Sequence, residues 1–351
     1  MKKAAITALK IAVSVGLYAY IFTKVDVGHL WETLKGANVA YFAAAVLVYL
    51  LIQTASAYRW HLLLRPLDIK ATFPRLLSYY YLGMFFNNFL PTAIGGDLVK
   101  VYYLNKHTGS LSNSTASVFL DRDLGMAGLL LIAIVGSTLG GTAFNGVPLA
   151  PIFGLIAIAF ICANLALFYR PTYNLLHRLL SAFRMKRVDE RVEHLFTSFN
   201  SYPGEWRLLA GALALSTCIQ LGCVIVNILA AEALGMQTRH GWLDFFVFIP
   251  AIGLISMVPV SVNGMGWREL SYIQLFVSAG AVESKAAALA FLWLGVLLAS
   301  SLPGGIIYMV RLLRGEERAG TPDPDRLGAG HIAESPVLQG QPQEEKSVSP
   351  A

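Results

Sequence analysis

The sequence predicts an all-α, polytopic membrane protein with two inverted repeats, each containing a broken or re-entrant helical hairpin. Hydrophobic residues make up 56% of the 351 residues, charged residues only 14%, and the mean hydropathy is +0.57, outside the usual range of soluble proteins. Apolar runs of about 20 residues, the length of a membrane-spanning helix, recur along the chain. Two further runs are broken by a proline, a Gly/Asn turn and an acidic-basic pair. Lipid cannot satisfy the backbone groups freed at such breaks, so we expect the breaks inside the protein or beside a water-filled cavity.

The basic residues and the cysteines exclude several classes of protein. The net charge is +6, but Lys and Arg are dispersed between apolar runs and form no soluble basic face for nucleic acid. Cys162, Cys218 and Cys223 lie in apolar runs without a histidine at metal-ligand spacing, so neither a disulfide framework nor a metal site is expected. The sequence contains no nucleotide-binding or hydrolase motif, and we predict no cofactor.

The first half of the chain is predicted to contain three full spans and one short hairpin. Residues 4–23 form an uncleaved first span, because no small-residue cleavage site follows the apolar run. Residues 39–58 form a second span, and 112–139 form a long helix that Ser and Asn residues can cap. The run 76–90 would be about 22 Å long, shorter than the ~30 Å hydrocarbon core. It is therefore expected to turn back and return through 97–106.

The second half is predicted to repeat this organisation after a turn at 140–148. Its spans are expected at 149–169, 207–233, 242–259, 267–280 and 284–312. Residues 170–206 form the longest polar connection, and their apolar side chains at helical spacing indicate helices on the membrane surface or on the protein's own cytoplasmic face. The membrane domain comprises 1–314, and the polar residues 315–351 are expected to form a disordered cytoplasmic tail.

The distribution of Lys and Arg predicts the orientation. With both termini in the cytoplasm and two re-entrant breaks, 21 of the 27 Lys and Arg residues fall in cytoplasmic segments and four in outside loops. The remaining two, Arg122 and Arg268, fall in embedded segments. The hairpins then enter from opposite sides, which is the pattern of an inverted repeat, with halves at about 1–145 and 146–314 linked by the amphipathic segment 170–206. The two hairpin tips are expected to meet near the membrane midplane.

The first break is predicted to form an anion site. Its structural residues are Pro91, Gly95 and Gly96, and its candidate head-group contacts are Asn87, Asn88, Asp97 and Lys100. Asp97 and Lys100 are one turn apart and can share a helix face, while the glycines leave amide groups near a helix start. The alternative is purely structural, with the asparagines bonded to freed backbone groups and the acid-base pair contributing less than ~1 kcal/mol at the interface.

The second break places an arginine and a glutamate at the start of a short apolar helix. Its structural residues are Pro259, Gly264 and Gly266, and its candidate contacts are Asn263, Arg268 and Glu269. The planar guanidinium of Arg268 matches a phosphate in two-point contact, and Glu269 would position the head group or receive a cationic one. The alternative is that the pair neutralises other buried groups and locks the hairpin.

The run Asp121-Arg122-Asp123 requires a choice between two interpretations. Some glycosyltransferases use a similar acidic pattern to hold a divalent metal and a nucleotide sugar. Residues two apart on a helix point about 200° apart, however, so both carboxylates could not readily bind one ion. We expect Arg122 to point into the interior, with Asp121 or Asp123 as its counter-ion.

These motifs together resemble a known family. They are Phe85-Phe86-Asn87-Asn88-Phe89-Leu90-Pro91, Gly95-Gly96-Asp97, Lys100, Phe119-Leu120-Asp121-Arg122, and Pro259 with Gly264-Met265-Gly266-Trp267-Arg268-Glu269. Over about residues 1–313 the chain resembles the transmembrane region of lysylphosphatidylglycerol synthases and the flippase-like proteins that share it. The resemblance implies movement of a phospholipid or glycolipid between leaflets. No soluble aminoacyl-transferase domain follows, so lysyl transfer is not expected. Lys100 stands where many members have Arg, and Asp121 where Glu is frequent.

The sequence therefore predicts a bacterial inner-membrane protein that binds and translocates an anionic phospholipid or a lipid-linked sugar through a central cavity. Its partner would be the lipid, with a lipid-synthesis enzyme and a second copy of the chain as possible protein partners. Catalysis is not expected. Two alternatives stay open at this point: a membrane-embedded glycosyl or lipid transferase, and a non-transporting subunit of a lipid-synthesis complex.

Overall fold

A computed structural model describes residues 2–90, 95–140, 143–144, 146–168, 171, 202, 204–258 and 260–315. Eleven α-helices account for most of this described part. The first six are α1 Lys2–Lys24, α2 Val27–Lys35, α3 Val39–Leu63, α4 Phe73–Asn87, α5 Gly95–Thr108 and α6 Leu111–Gly140. The other five are α7 Leu149–Phe168, α8 Trp206–Ala233, α9 Leu243–Met257, α10 Trp267–Ser278 and α11 Glu283–Leu313. Short 3₁₀ turns occur at Arg65–Leu67 and Val262–Gly264, and strands β1 Ala143–Phe144 and β2 Val147–Pro148 pair in an antiparallel hairpin between α6 and α7.

The helices confirm the mainly helical prediction and most of the predicted boundaries. Among the described residues, three segments are long and apolar enough to cross a membrane by length and composition: Val39–Leu67, Trp206–Ala233 and Glu283–Leu313. A fourth candidate is the pair Leu9–Lys24 and Val27–Lys35, which is bent by 88°. The helices that flank the two breaks, α4, α5, α9 and α10, have 15, 14, 15 and 12 residues, each shorter than the ~20 that a full span requires.

Helix α2 was not expected from the sequence, because residues 24–38 lie between the predicted first and second spans. Asp26 begins this helix, because its carboxylate accepts hydrogen bonds from the backbone amides of Gly28 and His29 at 2.8 and 3.1 Å. The same two bonds, led by that from His29, lower the pKa of Asp26 below its usual range. One side of α2 buries Leu30 in the core, while Trp31 is exposed. The chain therefore turns sharply after α1 and packs a short amphipathic helix against α11.

The core is formed around α11 and the helices of the second half. The largest cluster of buried apolar side chains joins α1, α2 and all the helices from α6 to α11. Five consecutive residues of α11, Ala286–Ala290, are fully buried in it, since small side chains allow helix backbones to approach closely. A second cluster, around Trp60 and Leu82, joins α3 to α4, α5 and α6. The two short helices α4 and α5 are thus held in the bundle by a core of their own.

A close crossing of α11 and α4 leads to a stability prediction. A methyl group on Gly304 of α11 would overlap the backbone carbonyl of Tyr81 on α4. Gly304→Ala is therefore expected to lower the free energy of unfolding by about 1–3 kcal/mol, the usual cost of overpacking. The measurement is an unfolding titration in mixed detergent micelles.

The matched control is Gly211→Ala in α8, where an added methyl group meets no atom within 4 Å. This change is expected to be neutral or to stabilise by up to ~1 kcal/mol, because alanine favours a helix over glycine. Equal destabilisation by both substitutions would contradict the assigned crossing of α4 and α11.

Several predicted features fall outside the described residues. They include the break prolines Pro91 and Pro259, most of the polar connection 170–206, and the tail from 316 to 351. Tyr202 is described, and its hydroxyl donates a 2.7 Å hydrogen bond to the carbonyl of Leu63, at the end of α3. This buried contact attaches the end of the connection to the helical bundle.

Candidate functional site

The first break lies between α4 and α5, which pack closely through glycines. A methyl group on Gly83 of α4 would lie 2.8 Å from the carbonyl oxygen of Gly96, so the absence of side chains lets the two backbones meet. The amide of Gly96 donates a 3.3 Å hydrogen bond to Asn87 Oδ1, which is the predicted contact between asparagine and the freed backbone. Asn88 instead donates a 2.9 Å hydrogen bond to Ser301 on α11. Both asparagines thus have structural contacts in this state.

A network of charged side chains connects α5 to α6. Lys100 Nζ lies 2.9 Å from Asp97 Oδ1, so the predicted pair one turn apart forms. Asp97 also accepts a hydrogen bond from Arg122 on α6. Lys100 lies 3.7 Å from Asp121 Oδ2, and its ammonium is 4.5 Å from the centre of the Tyr80 ring. The pair is therefore part of a buried network and not an isolated interfacial ion pair.

Arg59 is the member of this network that the sequence interpretation missed. The predicted second span ended at residue 58 and so left Arg59 outside it, but α3 continues to Leu63 and buries Arg59. Its guanidinium contacts Asp121 Oδ1 through Nε and Nη2, at 2.9 and 2.8 Å, and donates a 2.6 Å hydrogen bond to Ser216 on α8. The sequence continues after Arg59 with Trp60 and then Leu62–Leu64 before Pro66, and this resumed apolar run is the signal that could have extended the helix.

The structure corrects the predicted counter-ion of Arg122. Asp121 pairs with Arg59, and Arg122 pairs with Asp97 instead of with a neighbour on its own helix. Asp123 accepts a 3.2 Å hydrogen bond from Asn164 on α7. Arg122 does pair with an aspartate, as expected, but the aspartate is on another helix. Adjacent residues on a helix face different neighbours, so Asp121 pairs with a residue of α3 and Arg122 with a residue of α5. The two aspartates contact different helices, as expected for residues two apart.

A cavity of about 320 Å³ opens beside the network and is here called the polar cavity. Its charged lining residues are Arg59, Asp97, Lys100, Asp121 and Arg122, and its uncharged polar ones are Tyr49, Gln53, Ser56, Tyr80, Asn87 and Gln220. The five charged side chains carry a formal net charge of +1. The Arg122 side chain is 40% exposed and that of Lys100 only 9%, so Arg122 is the cation more accessible to a ligand.

The second break contains backbone conformations that favour Gly and Asn. Asn263, Gly264 and Gly266 have φ values of 49°, 74° and 80°, in the left-handed region. The break is held by α1, since Ser14 Oγ accepts a 2.9 Å hydrogen bond from the amide of Val262. A methyl group on Gly266 would lie 2.7 Å from Leu17 Cβ, so glycine is required there for contact as well as for conformation.

Arg268 and Glu269 form a buried pair at the first turn of α10. Arg268 Nη2 lies 2.7 Å from Glu269 Oε1, and Nε lies 3.1 Å from the same oxygen. The other carboxylate oxygen accepts a 2.6 Å hydrogen bond from the amide of Gly266, which caps the helix. The two residues neutralise each other, whereas the structural alternative expected them to neutralise other buried groups. Arg268 also lines a cavity, whereas Glu269 is fully buried behind it, so Arg268 alone of the pair is placed for ligand contact.

This second cavity, here called the apolar cavity, has a volume of about 240 Å³. Apolar side chains form most of its wall, and Arg268 lies in that wall with Tyr272, whose hydroxyl donates a 2.6 Å hydrogen bond to Asn227. Gln220 and Cys223 of α8 line both cavities. The apolar cavity and the polar cavity are therefore neighbours that share part of one wall.

The tips of the two breaks contact each other. Asn87 Nδ2 donates to Asn263 Oδ1 at 3.3 Å, and Asn263 Nδ2 donates to the backbone carbonyl of Asn87 at 3.0 Å. The predicted site residues of the two halves, 176 positions apart in sequence, thus meet in one region of the fold. Their depth in the membrane stays a prediction.

Comparison with known proteins places the chain in a family. The model of the lysylphosphatidylglycerol synthase transmembrane region matches residues 7–304. Two UPF0104 membrane proteins of Methanothermobacter thermautotrophicus are 23% and 24% identical over 283 and 301 residues, which cover 72% and 80% of this chain and 78% and 88% of theirs. The UPF0104 membrane protein PH1989 of Pyrococcus horikoshii is 33% identical over 91 residues, 25% of this chain and 27% of its own length. The chain is therefore an integral membrane protein and belongs to the family of the lysylphosphatidylglycerol synthase transmembrane region.

Proposed function

We propose that this protein binds the anionic head group of a membrane lipid, a phospholipid or a lipid-linked sugar, and moves the lipid between leaflets. The observation that carries the proposal is the polar cavity, in which five charged side chains with a net charge of +1 lie inside a mainly apolar helical bundle. Ionisable groups in such a position are energetically costly, and they commonly mark substrate pathways. The family membership supports a role with membrane lipids in general.

The proposed pathway uses both cavities. Arg122 and Lys100 would receive the phosphate in the polar cavity, and Arg268 would receive it in the apolar cavity beyond the shared wall. Met257, at the end of α9, lines the polar cavity and is 37% exposed. An opening at this point would let the head group occupy the cavity while the acyl chains stay in the bilayer.

The proposed mechanism treats the two breaks as re-entrant hairpins related by an inverted repeat. In support, α4/α5 and α9/α10 are both pairs of short helices that flank a break, and in both the second helix carries an acidic-basic pair near its start. A relative shift of the two pairs would expose the cavities to opposite sides in turn. We further propose a bacterial inner-membrane location with both termini in the cytoplasm, based on the excess of Lys and Arg in the segments assigned there.

The test is a leaflet-resolved assay in proteoliposomes that contain tail-labelled phosphatidylglycerol, with membrane-impermeant reduction of the label in the outer leaflet. The wild type is expected to move the lipid faster than protein-free vesicles do. Arg122→Gln is expected to slow this movement about tenfold, because a charged hydrogen bond contributes roughly 1.5–3 kcal/mol. Lys100 would still supply a cation, so activity should persist.

The matched control is Arg65→Gln, on the exposed 3₁₀ turn after α3, which should match the wild type. If no lipid tested moves faster than in protein-free vesicles, the translocation proposal is wrong. A parallel incubation with activated sugars and Mg²⁺ tests the transferase alternative, for which product formation that depends on Asp121 and Asp123 would be required. The subunit alternative would be favoured if the protein raised the activity of an added lipid-synthesis enzyme and Arg122→Gln left this effect unchanged.

A further inference from the structure

The polar cavity contains many uncharged hydrogen-bonding groups in addition to its charges. One face of α3 contributes Tyr49, Gln53 and Ser56, at the helical spacing of four and three residues. Gln220 of α8 and two residues of α4, Tyr80 and Asn87, complete this uncharged set. Carboxamides and hydroxyls can both donate and accept hydrogen bonds, which is the property needed to bind alcohols. A phosphate without hydroxyl groups only accepts hydrogen bonds, so it would use the donors of these side chains and leave their acceptors unused.

Gln220 illustrates how this set is positioned. Its Nε2 donates a 3.0 Å hydrogen bond to the carbonyl of Gly125 on α6, which fixes the plane of the carboxamide. The side-chain oxygen of Gln220 accepts no hydrogen bond from any residue that the structure describes. The shared wall of the two cavities thus offers an oriented acceptor for a ligand hydroxyl.

The charges of the cavity restrict the ligand further. Asp97 and Asp121 are both engaged by cations of the protein, at 2.9 Å from Lys100 and 2.8 Å from Arg59 respectively. The net charge of +1 matches one phosphodiester, whereas an amine on the head group would introduce another cation with no unengaged carboxylate among the described lining residues. A volume of about 320 Å³ lies within the range of sites for small molecules.

We infer that the lipid bound here has a single phosphodiester carrying a hydroxyl-rich, amine-free head group, such as a glycerol, an inositol or a sugar. This inference rests on the proposed function and specifies its substrate. Arg122 and Lys100 bind the phosphate, and Gln53, Gln220 and the two tyrosines bind the hydroxyls. An aminoacylated head group, which carries a cation, is excluded by the charge of the cavity.

The experiment compares three tail-labelled lipids with the same acyl chains in the leaflet assay. Phosphatidylglycerol has two head-group hydroxyls, and phosphatidylpropanol has the same phosphodiester charge and carbon skeleton without them. Lysylated phosphatidylglycerol has the glycerol head group with a lysyl group attached, which adds positively charged amines. Phosphatidylglycerol is expected to move at least tenfold faster than either of the others, because a site built for hydroxyls discriminates against analogues that lack them.

A substitution tests whether the cavity causes this preference. Gln53→Leu keeps the size of the side chain but removes the carboxamide, and it is expected to reduce the ratio between phosphatidylglycerol and phosphatidylpropanol at least threefold. Gln237→Leu, in an exposed loop after α8, makes the same chemical change away from the cavity and should leave the ratio as in the wild type. Retention of each lipid by the purified protein, measured by native mass spectrometry, provides a second readout that does not require transport.

The outcomes separate this inference from the proposed function. Equal movement and equal retention of phosphatidylglycerol and phosphatidylpropanol would overturn the inference while leaving translocation intact. Preference for the lysylated lipid would overturn it as well. Selective retention of phosphatidylglycerol without movement of any lipid would uphold the head-group assignment and reject translocation. Absence of both movement and selective retention would reject both proposals.

Discussion

Simultaneous replacement of Arg268 and Glu269 by glutamine is expected to slow lipid movement by at least ~100-fold in the leaflet assay. Arg268 is the charged side chain in the wall of the apolar cavity, where few other polar groups can compensate for its loss. A factor of 100 corresponds to about 2.7 kcal/mol, within reach of a charge-assisted contact that is shielded from water. We expect a larger effect than for Arg122→Gln because Arg268 is more deeply buried, with only 8% of the residue exposed.

Both residues are replaced together so that the variant can still fold. Removing Arg268 alone would leave a buried, unpaired carboxylate at Glu269, whereas the glutamine pair is neutral and retains an oxygen to accept the Gly266 amide. Glu32→Gln with Lys35→Gln is the matched control, because it removes a 3.2 Å ion pair from the exposed side of α2. Wild-type lipid movement in the Arg268/Glu269 double variant would refute the role assigned to the apolar cavity.

Asp121→Asn is expected to lower the free energy of unfolding by about 3–5 kcal/mol. This substitution keeps the shape of the side chain but leaves Arg59, and in part Lys100, as buried cations without their counter-ion. The measurement is the same unfolding titration that tests Gly304→Ala. Adding Arg59→Met to Asp121→Asn should recover at least half of the loss, because the uncompensated charge is removed.

Asp123→Asn is the control for this prediction. The residue lies two positions along the same helix, and its described contact is a single hydrogen bond from the uncharged carboxamide of Asn164, which an asparagine oxygen can also accept. Its substitution should cost less than ~1 kcal/mol. Equal losses for the two aspartates would show that burial in α6 alone determines the cost and that the pair with Arg59 does not stabilise the fold.

Much of the fold was predictable because apolar runs and their interruptions are local properties of the sequence. The helices after Glu205 confirm the predicted boundaries to within two residues. The one-turn pair Asp97–Lys100 was predictable for the same reason, since helix geometry alone places both side chains on one face. Helix α2 was missed because its nine residues are far fewer than a membrane span requires, and the predicted helices were based on apolar runs of that length.

The long-range partners of the site could not be predicted. The pairs Arg59–Asp121 and Arg122–Asp97 join residues 62 and 25 positions apart, and which charge meets which depends on how three helices rotate against one another. Periodicity indicates the buried face of a helix, but it does not identify the helix that covers that face. The misassignment of Arg59 had a simpler cause, because the positive charge ended the predicted span one turn too early.

The asparagine contact between the two breaks has an energetic consequence for any rearrangement. It consists of two neutral hydrogen bonds, at 3.0 and 3.3 Å, and each is worth about 1 kcal/mol net. Separating the tips at this point costs roughly 2 kcal/mol, so a form without these two bonds lies within thermal reach, at a few per cent of molecules if nothing else changes. The junction therefore acts as a weak latch: it aligns the two halves at rest, and the binding energy of a single ligand suffices to release it.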